Sequence, residues 1–134
     1  MRGLEDGENI QTLQQGKGVS ALTVWNNFLY SSSSTNGEIK RWNLKGECVQ
    51  TFPHGVSVSA LIIWNDCLYS TSSSNGDIKG WDIEGKCIQT FSDGDSKMSL
   101  TAWKDKLYSG STHGLIKSWV DGRLEEQKKK LLMQ

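Results

Sequence analysis

The sequence predicts an all-β chain of about three four-stranded antiparallel units, followed by a short C-terminal helix. Three observations carry this. Ser59–Phe91 repeats Ser20–Phe52 at an offset of 39 residues, with identity at 20 of 33 positions. Each copy is rich in the β-branched and aromatic residues that suit a pleated, half-buried surface, and is cut by turn pairs such as Asn36-Gly37 and Asn75-Gly76. A third copy follows, in which Trp103, Leu107, Tyr108 and Ser109 fall into register and, after a one-residue deletion, Gly114, Ile116, Lys117 and Trp119 do so too. A period of this length marks units that bury their apolar faces against neighbouring copies.

The elements follow in order. Residues 1–7 are polar and expected to be loose. Residues 8–14 match the end of the next unit: Gly7 to Leu13 aligns with Gly46 to Phe52. They are expected to form an outer strand displaced to the N-terminus. In the first unit (19–52), strand a is Val19 to Trp25, turned by Asn26-Asn27. Strand b begins at Phe28-Leu29-Tyr30 and runs into serines. Asn36-Gly37 signals a two-residue hairpin, because both residue types tolerate positive φ. Strand c is Glu38 to Asn43, and strand d is Glu47 to Phe52 after a Lys45-Gly46 turn. The second unit (58–91) repeats this as Val58 to Trp64, Cys67 to Ser72, Asp77 to Asp82 and Lys86 to Phe91. The third (98–120) has Met98 to Trp103, Lys106 to Gly110 and Leu115 to Val120 around a His113-Gly114 turn. Residues 121–134 lack a strand pattern and read as a helix, with Glu125/Lys129 and Glu126/Lys130 at i,i+4 spacing.

Composition narrows the function classes. Fifteen basic and fifteen acidic side chains balance in a chain of 134 residues, so there is no electrostatic bias toward nucleic acid or an acidic membrane. No apolar run approaches the roughly 18 residues of a membrane helix, and the first residues lack a leader's apolar core. Cys48, Cys67 and Cys87 suit a reducing, intracellular setting, cytoplasmic or nuclear; Cys48 and Cys87 are one repeat position and read as small apolar strand residues. There is no CxxC, and the two histidines are not at ligand spacing, so no metal is expected. No glycine-rich phosphate loop opens a helix, and no cofactor is expected. The six tryptophans all recur by phase and are expected to pack.

Units of this size with Trp-Asp at the end of strand c resemble the WD40-repeat β-propeller family. Leu107 to Trp119 is similar to the family's L-x-S-G-S-x-D-G-x-I-x-x-W stretch, with His113 at its aspartate. Trp81-Asp82 is the family dipeptide, and Trp42-Asn43 and Trp119-Val120 are degenerate forms. His54 is similar to the histidine of the family's Gly-His pair, with Pro53 at the glycine. The resemblance spans residues 8–120 and implies a partial propeller of about three blades. It also implies a structural network of His54, Ser70, Asn75 and Trp81; Gln15 and Asp93 stand at the histidine position in the neighbouring units.

Three blades are too few to close a ring, since rings have about four or more. The chain is therefore expected to be a piece of a larger propeller, or to complete a ring with a second copy. By the resemblance, it is a non-catalytic scaffold for an unidentified protein partner, without nucleic acid or membrane. The partner would sit on the d–a and b–c loops, for which Lys17, Asn36, His54, Asn75, Asp95 and His113 are the candidates. Alternatives are a fragment of a propeller enzyme, a fragment of a larger multidomain WD-repeat protein such as a ubiquitin-ligase substrate receptor, or an inert truncation prone to aggregate. No catalytic residue is assigned, because His54 and His113 each have a structural explanation and strand a brings no acid or histidine toward a central channel. Lys40, Lys79 and Lys117 share one strand-c position and read as solvated.

Overall fold

Repetition in the sequence becomes repetition of sheets. The computed structural model describes residues 5–121 and 129–133. The strands are β1 (Val19–Trp25), β2 (Phe28–Ser33), β3 (Glu38–Trp42), β4 (Cys48–Pro53), β5 (Ala60–Trp64), β6 (Cys67–Thr71), β7 (Ile78–Trp81), β8 (Cys87–Phe91), β9 (Lys97–Trp103), β10 (Lys106–Ser111) and β11 (Ile116–Trp119). They form two four-stranded sheets, β1-β2-β3-β4 and β5-β6-β7-β8, and one three-stranded sheet, β9-β10-β11. Every pairing is antiparallel, between strands that follow one another in the chain. Strand β5 packs against both β1 and β9, so the first strands of the three sheets form the hub of the molecule.

The turns sort by the backbone they need. At the a–b corner, both Asn26 and Asn27 have positive φ (51° and 65°), as do Asn65 and Asp66 (50° and 62°). These are the tight two-residue turns, and short polar side chains are what tolerate that conformation. The expected two-residue hairpin at Asn36-Gly37 is instead a longer loop, in which only Gly37 has positive φ, at 71°. Ser33 Oγ accepts from the backbone N–H of Thr35 and Asn36 and caps that loop, as Ser72 Oγ does for Ser74 and Asn75. A Cβ on Gly37 would collide with the Val56 backbone, and one on Gly76 with the Asp95 backbone. Glycine there lets the loop of one sheet touch the connection into the next.

The core lies between sheets. Trp25, Tyr30, Ile39 and Phe52 of the first sheet meet Val58, Leu61, Leu68 and Trp81 at the second. Trp64, Cys67, Tyr69 and Ile78 meet Leu107, with Leu100 and Trp119 packed alongside. An aromatic row crosses each junction. Tyr30–Phe52 and Phe52–Trp81 have centroids 6.3 and 5.0 Å apart, and Tyr69–Phe91 and Phe91–Trp119 repeat this at 6.3 and 5.2 Å. Such tilted pairs add to the area they bury. The serine tracts are ordered: Ser31, Ser32, Ser33, Ser70 and Ser72 are buried in β2 and β6 or just beyond them.

Three further expectations need correction. Residues 8–14 do not form a strand; they run beside the first sheet, where a Cβ on Gly46 would meet the Gln11 side chain, with Leu13 near. Cys48 and Cys87 are exposed at the outer strands, and only Cys67 is a core residue. Trp103 is exposed rather than packed. Of the C-terminal helix, residues 129–132 are helical and Leu131 and Leu132 are exposed; residues 122–128 lie outside the described residues, as do residues 1–4.

Leu68 is fully buried where the first two sheets meet. Leu68→Ala should cost about 2–5 kcal/mol, read as a lower urea midpoint with an unchanged slope.

Candidate functional site

One end of the molecule gathers the d–a and b–c loops, and it is built around a hydrogen-bond lock repeated three times. In each sheet the strand-c indole donates to a strand-b serine: Trp42 to Ser31 at 2.8 Å, Trp81 to Ser70 at 2.8 Å, Trp119 to Ser109 at 2.9 Å. What sits above the serine differs. In the first sheet it is Gln15, whose Oε1 accepts from Ser31 Oγ and whose Nε2 donates to the Glu38 carbonyl at 3.4 Å. In the second it is His54, with Nδ1 2.7 Å from Ser70 Oγ. By analogy with Ser31, Ser70 donates to Nδ1, which leaves the proton on Nε2; that atom is buried without a partner among the described residues.

His54 is 1% exposed. Burial, then the nearby Lys79 ammonium, lower its pKa to about 4, against a smaller opposing effect of Asp77. It is neutral at pH 7. Lys79 Nζ donates to the His54 carbonyl at 2.7 Å and so ties the d–a loop to strand c.

The third sheet replaces the histidine with charge. Asp93 takes Lys97 Nζ at 2.6 Å on one oxygen and Lys117 Nζ on the other. These two ammonium groups hold its carboxyl well below the usual carboxylate range. Lys97 is buried; its Nζ also donates to the Asp95 carbonyl at 2.6 Å and lies 5.5 Å from the Trp119 ring centroid. Asp95 pairs with His113 Nδ1 at 2.8 Å, and that bond lowers its pKa.

The proposed network of His54, Ser70 and Trp81 is therefore assembled, and Asn75 stands outside it. Asn75 is exposed, and its Oδ1 accepts from the Asp77 N–H in its own hairpin. The partner-binding candidates fall into two places. Asn36 lies at the junction of the first two sheets, on an open hollow of about 610 Å³ lined by Ser34, Thr35, Asn36, Gly55, Val56, Ser57 and Ser74. Lys17 is exposed just before it, next to Gly18, whose carbonyl bonds Ser34 N–H at 3.0 Å. Asp95 and His113 meet at the second junction, beside the Asn75-Gly76 loop. His54 is buried below this surface and serves as a strut rather than a contact. Lys79 and Lys117, read as solvated, are loop ties. Lys97 was missed, although the signal was present: a lysine at the phase of Val58, four residues after an acid at the phase of His54.

No family model matches the chain, and no curated protein matches it either. Among solved structures it is similar to the crystal structure of the computationally designed Ika4 protein. The similarity covers 87% of this chain and 99% of that one, with a TM-score of 0.53 and 19% sequence identity, and is a likeness of fold.

The histidine lock makes stability depend on pH. A folded pKa near 4 against about 6.5 unfolded means that the unfolded chain binds the extra proton between those values. The contribution is complete above pH 6.5 and is lost as pH falls toward 4, by up to about 3 kcal/mol. Chemical denaturation at pH 7 and pH 5 should show this slope. His54→Gln, which copies the first sheet, should flatten it.

Proposed function

We propose that this chain is a non-catalytic scaffold for protein–protein interaction, built on the WD-repeat plan as part of a β-propeller, which holds its partner on the loop end. The observation that carries the reading is the hollow between the first two sheets. It is rimmed by small polar side chains and backbone from two b–c loops and one d–a loop, and stands on locked sheets. Loops on a rigid support lose little freedom when a partner orders them. The serine–tryptophan lock in all three sheets supports the family resemblance. Among the described residues no helix is long and apolar enough to cross a membrane, and no group of three or more His, Cys, Asp or Glu could hold a metal ion.

The test compares two variants against a partner obtained by affinity capture and then purified. Thr35 is exposed on the hollow, and Lys106 is exposed at the start of β10, by the opposite end. Thr35→Arg should weaken binding by about tenfold or more, roughly 1.4 kcal/mol, and Lys106→Glu should leave it unchanged. Equal affinity for both variants would move the site off this face.

A further inference from the structure

The two outer sheets each show a bare face, and the chain itself displays what covers such a face. At the first junction, Trp25, Tyr30 and Ile39 of the first sheet are buried against Leu61, Leu68 and Trp81 of the second. In the third sheet the equivalents of the first set are Trp103, Tyr108 and Ile116, and nothing described covers them: Ile116 is 81% exposed where Ile39 and Ile78 are fully buried, and Trp103 is 62% exposed. In the first sheet the equivalents of the second set are Leu22, Leu29 and Trp42; Leu22 is 62% exposed against 7% for Leu61, while Trp42 is already buried, beside Leu13 of the N-terminal segment. The bare face of the third sheet and the bare face of the first are thus the two halves of one contact, already made twice inside the chain.

We infer that two copies of this chain associate head to tail, the third sheet of each covering the first sheet of the other. Residues 9–13 fit this. Gln50 of β4 packs on Gly85 of the next sheet, and Gln11 packs on Gly46 in the same way, one period earlier. The N-terminal segment therefore already lies where the outer strand of a preceding sheet would run, without a strand partner. Meanwhile β11 has no outer neighbour among the described residues. In the pair, the segment from one copy lies along β11 of the other. The repeat register places Leu13 opposite Ile116 and Gln11 opposite Ser118, as Phe52 lies opposite Ile39 and Gln50 opposite Arg41.

The row of packed side chains is extended in the same step. It stops at Trp103–Tyr108, 5.9 Å apart, for want of a strand-d side chain and the next tryptophan. Leu13 and Trp42, which line one hollow together, supply both from the second copy. The stoichiometry follows from closure. A head-to-tail contact makes a ring only where the rotation closes, and rings of stacked sheets run from about four to eight. The three described sheets from each of two copies make six, which lies within that range. The contact reaches the loop end, where the phase that sets Gly37 on Val56 and Gly76 on Asp95 sets Gly114 of one copy on Lys17 of the other. The hollow at Asn36 lies at an internal junction instead, so a chain that binds nothing there should still pair, and a monomer can still bind there.

Light scattering on the full chain after size exclusion should give twice the 14.9 kDa of one chain. Leu22→Lys and Ile116→Glu each sit on a bare face, so neither should disturb the single chain, as far-ultraviolet circular dichroism would check. Each variant alone should run as a monomer. Mixed one to one they should return to the dimer mass, because one contact is then unmodified and the other pairs lysine with glutamate. A monomer at every loading, an open polymer that grows with concentration, or a dimer that survives both single substitutions would each overturn the inference.

Discussion

The rest of the structure depends on the bond between the strand-c indole and the strand-b serine. An indole is large enough to reach across to the neighbouring sheet, but leaving its N–H dry in the core costs free energy. The serine oxygen accepts from that N–H and its hydroxyl donates to the residue above, Gln15 in the first sheet and His54 in the second. One hydroxyl therefore fixes the tryptophan rotamer, the register of strand c against strand b, and the position of the incoming loop. Trp81 held this way is available to stack on Phe52 of the sheet before it, and Trp119 on Phe91. Local hydrogen bonding and packing between sheets are thus one device, because the residue that satisfies the first also makes the second.

Around that device the chain uses small residues where backbones must meet. Buried serines in β2 and β6 let the loops approach closely, and Gly37 and Gly76 admit the next connection without a side chain in the way. The lysines of strand c then tie the loop down, through the His54 carbonyl in one case and the Asp93 carboxylate in another. At the two internal junctions the loop end is a rigid rim, because the loops are bonded to their own sheets and touched by the next connection.

Much of this was legible in the sequence. The 39-residue phase placed all eleven strand starts within two residues and paired every tryptophan with its equivalents. His54, Ser70 and Trp81 followed from the same phase. What the phase could not show was where repetition stops being structural equivalence. Trp103 and Trp25 look alike in sequence, yet one is exposed and the other buried, because burial belongs to the neighbour and not to the residue. Residues 8–14 carry a strand pattern but pair with no strand among the described residues. Asn75 was assigned to the network by position, whereas an asparagine before a glycine satisfies its own loop first, here through the Asp77 N–H.

The different residues at the histidine position have a consequence for which pieces of the chain can be exchanged. Each is bonded within its own unit: Gln15 to Ser31, His54 to Ser70, and Asp93 to Lys97 and Lys117. A histidine set in the place of Asp93 would face two ammonium groups, Lys97 and Lys117, with their carboxylate gone. An aspartate set in the place of His54 would meet Lys79 but find Val58 where the third sheet has Lys97. A d–a loop moved without the sheet that follows it therefore leaves a charge short of a partner, so the loop and its sheet make one cassette that has to be exchanged whole.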